Sequence, residues 1–141
     1  MGVLTEAEIE SRYEILLENY SKTINVEALT LIDMIERQLL PSTLGYALKL
    51  AEISEKTGSK AAKVRLEQVI TLADSMDSKL AALKDAVNTA SVDCPFETAL
   101  NYREKVVVAM EDARAVIDEI EPVIPADVWP VPVYADMLFR V

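Results

Sequence analysis

Histidine is absent from the 141 residues, and cysteine occurs once, as Cys94. The commonest metal ligand and the commonest general base near neutral pH are therefore both missing, and any catalysis would rest on carboxylates, lysines or tyrosines. A single cysteine forms no internal disulfide, which excludes a disulfide-stapled secreted scaffold and is compatible with a reducing cytoplasm. Glycine is nearly as scarce. Gly2, Gly45 and Gly58 are too few for a sandwich or barrel of many short strands, and they stand too far apart for a phosphate loop or a dinucleotide fingerprint. Bases are outnumbered, 14 against 24 acids, and the formal charge of −10 argues against a nucleic-acid backbone or an anionic membrane as partner. No apolar run reaches the roughly 18 residues of a transmembrane helix, and Met1 to Glu8 lack the basic and apolar regions of a signal peptide. A cytoplasmic protein is the expectation.

What remains is a chain with 51% hydrophobic residues arranged at helical spacing. Thr5-Glu6-Ala7-Glu8 has the capping-box pattern and opens a helix. Ile9, Tyr13, Leu16 and Tyr20 follow at steps of three and four, and Ile24, Ala28, Leu31, Ile35 and Leu39 continue the rhythm. Pro41 lacks the N–H for an i−4 bond and predicts a kink, after which Leu44, Leu48 and Leu50 resume the pattern; Gly58 closes the helix. Ser59 opens a second helix with a heptad seam of Leu66, Val69, Ala73, Met76, Leu80, Leu83 and Val87, suited to a long antiparallel neighbour. Asp93 is the expected cap of a third helix, with Pro95 in its first turn. Ala99, Val106, Met110, Ala113, Ile117 and Ile120 form its apolar face, and Pro122 and Pro125 stop it.

The reading is an all-α fold: an antiparallel bundle of three long helices, about 5–57, 59–90 and 95–121, within residues 1–122. A tail, 123–141, is extended by its prolines and rich in aromatics. It holds Trp129, Pro130, Pro132, Tyr134, Leu138 and Phe139, which are expected to dock on a surface. Charge is uneven, with five acids and one base in residues 1 to 20, and seven bases against five acids in residues 49 to 84.

Few residues offer chemistry. Glu10, Glu14 and Glu18 share one helical face, but a carboxylate-bridged di-metal site needs histidines as well, so a solvated acidic face is the better account. Cys94 sits beside Asp93 with no base nearby to lower its pKa. Pro122-Val123-Ile124-Pro125 fits P-x-x-P without the flanking base of such ligands. The five tyrosines read as core-edge residues. No catalytic, cofactor-binding or metal residue is assigned.

Two segments resemble a known family. Thr5-Glu6-Ala7-Glu8-Ile9-Glu10-Ser11-Arg12-Tyr13-Glu14-Ile15-Leu16-Leu17-Glu18-Asn19-Tyr20, continuing through Lys22-Thr23-Ile24-Asn25-Val26-Glu27-Ala28-Leu29, resembles the stretch that follows the catalytic core of type III glutamine synthetases. Trp129-Pro130-Val131-Pro132-Val133-Tyr134-Ala135-Asp136-Met137-Leu138-Phe139 is similar to the W-P-x-P-x-Y-x-(D/E)-x-L-F ending of those enzymes. That family condenses glutamate with ammonia at the expense of ATP, using magnesium or manganese ions held by glutamates and a histidine, at subunit junctions of a ring-shaped oligomer. Its N-G-S-G, metal-ligand and arginine motifs have no match here.

The resemblance thus implies a C-terminal domain that begins past the catalytic domain, without catalytic residues of its own. ATP and Mg or Mn then belong to the intact enzyme, and the partners are the catalytic domain of the same polypeptide or neighbouring subunits. The alternative is a stand-alone helical interaction module, motivated by the heptad seam.

Overall fold

The computed structural model describes residues 5–132, which are all-helical, with no strand among them. Three helical rods account for nearly all of this chain. The first comprises α1 (Glu6–Met34), a π-helical turn (Ile35–Leu39) and α2 (Leu40–Thr57); the second is α3 (Lys60–Ala90); the third comprises α4 (Pro95–Asn101), a second π-helical turn (Tyr102–Val106) and α5 (Val107–Ile120).

The junctions follow from local chemistry. Glu8 N–H donates to Thr5 Oγ1 at 3.2 Å, capping α1. Gly58 takes a left-handed conformation, φ 66°, and its N–H returns to Ser54 O at 2.9 Å, while Ser59 Oγ accepts from Ala62 N–H at 3.2 Å to start α3. At the other end of α3, the Thr98 hydroxyl accepts from Val92 N–H at 3.0 Å and donates to Val92 O at 2.9 Å, tying the connection onto α4. The cap of α4 is Cys94, not the expected Asp93, and no side chain caps it. Pro95 occupies the first helical turn and holds the preceding residue in an extended conformation, so Cys94 stands at the boundary with ψ 121°.

The irregularity expected at Pro41 takes the form of the π turn just before it. Leu40 N–H donates to Ile35 O, five residues back, where an α-helix would reach four. One added residue shifts the inward face. An uninterrupted helix continuing from Ala28, Ile35 and Leu39 would bury positions 42, 46, 49 and 53, whereas Thr43, Ala47, Leu50 and Ser54 are buried. Leu44 and Leu48, assigned to the core by spacing, are 47% and 63% exposed. Thr43 replaces them inside at no loss, since its hydroxyl donates to Leu39 O at 2.8 Å.

The core lies between the rods. α3 packs on both α2 and α5, and α1 packs mainly on α4. The α3 seam points inward: Val69, Ala73, Met76, Leu80 and Leu83 are buried, and Leu66 and Val87 are partly buried against the same cluster. Complete burial of a side chain such as Leu83 contributes roughly 1.5–3 kcal/mol. After α5 the chain does not run straight on. Ile124 N–H donates to Ile120 O and Trp129 N–H to Pro125 O, so residues 121–129 make two turns and bring Ile124 and Trp129 into the core.

Candidate functional site

The first four turns of α1 have a different environment from the rest of the rod. Ile9, Tyr13, Leu16 and Tyr20 form the stripe expected to face the core, yet they are 54%, 52%, 66% and 39% exposed. The first buried residue of α1 is Ser21. The short helix α4 and the start of the π turn after it lie alongside these turns of α1.

Where α1 and α4 meet, two adjoining grooves form. The larger, about 400 Å³, lies between Tyr13, Leu17 and Tyr20 on one side and Phe96, Leu100 and Arg103 on the other. The smaller, about 220 Å³, shares Tyr13, Leu17 and Phe96 and adds Glu10, Glu14, Cys94 and Pro95. Phe96 is 52% exposed, so an aromatic side chain of each helix stands half in water at the junction. An apolar surface bordered by charge is the composition of a protein–protein contact.

A polar cleft of about 290 Å³ lies further along α1, lined by residues including Ser21, Asn25, Asp93, Thr98 and Tyr102. Tyr102 is buried, and its hydroxyl donates to Asn25 Oδ1 at 3.3 Å. Ser21 Oγ is buried without a hydrogen-bond partner.

The residues singled out from sequence are dispersed. Trp129 is 5% exposed and belongs to the core; Pro130 and Pro132 are exposed; Tyr134, Leu138 and Phe139 lie outside the described residues. Glu10, Glu14 and Glu18 are exposed, and among the described residues no three His, Cys, Asp or Glu side chains converge to hold a metal ion, so the donor set does not fit one. Cys94 is free and exposed. No helix among the described residues is long and apolar enough to cross a membrane. The α1–α4 face was not foreseen. Its signal lies in the aromatic Tyr13, Tyr20 and Phe96, which are wide for the interior of a small helical domain; by sequence the two tyrosines read as core-edge residues and Phe96 has no role.

Fold and site together define, over the described residues, an all-helical domain with a half-exposed apolar, aromatic face between α1 and α4. Residues 1–58 match the family model described as glutamine synthetase C-terminal domain. The chain is 34% identical to a glutamine synthetase of Butyrivibrio fibrisolvens, over 98% of this chain and 21% of the relative. It is 28% identical to type-3 glutamine synthetase of Dictyostelium discoideum, over 98% of this chain and 20% of that protein, and 25% identical to a glutamine synthetase of Bacteroides fragilis, over 97% and 20%. Residues 1–58 are thus similar to the glutamine synthetase C-terminal domain, and nearly the whole chain is similar to part of glutamine synthetases that include a type-3 enzyme. It spans about a fifth of the length of these curated relatives. No solved structure matches it significantly.

Proposed function

We propose that this chain is the non-catalytic C-terminal helical domain of a type III glutamine synthetase and that it supports subunit structure or ring assembly. The observation that carries this reading is the match along 98% of the chain to enzymes of which it covers only a fifth. In this reading glutamate, ammonia and ATP, with Mg or Mn, are handled by the remaining four fifths, in the cytoplasm. The partners are the catalytic domain of the same polypeptide or neighbouring subunits. The exposed α1–α4 face supports a contact role.

The rods are inferred to run antiparallel. Glu36 meets Lys84 about equally far on either side of the Gly58 turn, and Asn101 Nδ2 donates to Ala90 O at 3.1 Å across the α3–α4 connection. In the tail, Trp129 serves as the anchor that fixes the segment after α5 against the bundle. A stand-alone interaction module would use the α3 heptad seam as its contact face. That seam is already covered by α2 and α5.

The test adds this chain to a type III synthetase truncated before its own copy of the region, then measures oligomer size and glutamine formation against the intact enzyme. Restoration of assembly by the added chain is expected. A truncated enzyme that assembles and works normally alone would remove the assembly role.

A further inference from the structure

The α1–α4 grooves have a definite chemistry on each side. Tyr13, Leu17 and Phe96 form the shared apolar wall, Glu10 and Glu14 border the smaller groove, and Arg103 borders the larger. No ion pair within the described residues engages Glu10, Glu14 or Arg103. A partner seated here meets apolar pockets at the centre, carboxylates at one edge and a guanidinium at the other.

The position of the face along the chain selects the partner. The match to the C-terminal family model starts at residue 1, and the relatives are about five times longer, so in those enzymes the preceding polypeptide joins at the N-terminal end of α1. The half-exposed stripe occupies the turns of α1 nearest that junction, and the first buried residue of the helix is Ser21.

We propose that the groove between α1 and α4 is the dock for the polypeptide that precedes this domain in the synthetase, and that it receives an apolar patch carrying Lys or Arg opposite Glu10 and Glu14 and a carboxylate opposite Arg103. The proposal rests on the assignment of the chain as an accessory domain of that enzyme and specifies where it attaches. Tyr13 and Phe96, half exposed in the isolated domain, become the buried anchors of the contact.

Cys94 lies at the rim of the smaller groove and is the sole cysteine of the chain, so it reports on the contact without any substitution. The chain is mixed with a type III synthetase truncated before its own copy of this region. Complex formation is followed by sedimentation velocity, and maleimide labelling of Cys94 by peptide mass spectrometry. The expected result is a complex in which Cys94 labels at least about tenfold more slowly than in the free chain. Tyr13→Asp and Phe96→Asp are each expected to weaken it about tenfold or more, while both variants keep the helical circular dichroism of the parent.

If a complex forms with Cys94 fully reactive and both variants bind as the parent does, the dock is elsewhere and the accessory role stands. If no complex forms with a folded truncated enzyme, the accessory role falls and the dock with it. If the chain alone self-associates and Tyr13→Asp makes it monomeric, the occupant is a second copy and the proposal is overturned. Should the truncated synthetase not fold, the same labelling on a single polypeptide with this chain in place of the synthetase's own C-terminal region decides between a covered and an open groove.

Discussion

Lys84 on α3 donates to Glu36 in the first π turn, forty-eight positions earlier. This pair joins two rods, whereas Arg37 with Asp33 is a local pair one turn apart. Both partners are partly exposed, at 41% and 48%, so water and salt screen them. A double-mutant cycle with Glu36→Gln and Lys84→Met is expected to give a coupling of about 0.2–1 kcal/mol in urea unfolding at low salt. The coupling should shrink toward zero in about 1 M salt.

Leu50 and Leu48 test the inward face of α2 from both sides. Leu50 is buried and Leu48 is 63% exposed. Leu50→Ala should cost about 2–5 kcal/mol, whereas Leu48→Ala should stay within about 0.5 kcal/mol. Equal losses at the two positions in denaturant titrations would contradict the burial pattern after the π turn.

The two described glycines respond to alanine in opposite directions. An added Cβ meets nothing within 4 Å at either Gly45 or Gly58, so neither substitution clashes. Gly58 stands at φ 66°, where an L-residue costs about 1–2 kcal/mol, and Gly58→Ala is expected to lower the melting temperature. Gly45 lies within α2, and Gly45→Ala should raise stability by about 0.5–1 kcal/mol.

Trp129 anchors the segment after α5 from within the core. Trp129→Ala is expected to cost about 3–5 kcal/mol, the range for removing a buried aromatic ring. A loss below about 0.5 kcal/mol in thermal unfolding would show that the ring packs on the domain surface only.

Much of the helical content was legible because its signals are local. The Thr5 cap, the Gly58 stop and the α3 heptad are each readable from a few neighbouring residues, and the structure places each where its chemistry requires. The shifted face of α2 was not legible. The π turn advances that face by one residue, to Thr43 and Ala47, without a compositional signature beyond Pro41, whereas the spacing of Leu44 and Leu48 points to neighbouring positions that are exposed. The exposure of Ile9, Tyr13, Leu16 and Tyr20 was hidden for another reason. Helical spacing reports that a stripe is apolar, but not whether another helix reaches it, and that depends on where Ala90 ends α3 and Pro95 begins α4. The acidic face of Glu10, Glu14 and Glu18 was read as solvated, and all three are exposed.

The exposure of the first turns of α1 also bears on time scales. An isolated helix of about fifteen residues is marginal in water, and the turns from Glu6 to Tyr20 have little tertiary packing to hold them. Their amides should therefore exchange with solvent far faster than those of Ile35 to Leu50, whose opening requires separation of the rods. Rigidity along this one continuous rod is graded, so whatever covers its first turns would set their opening rate as well as their place.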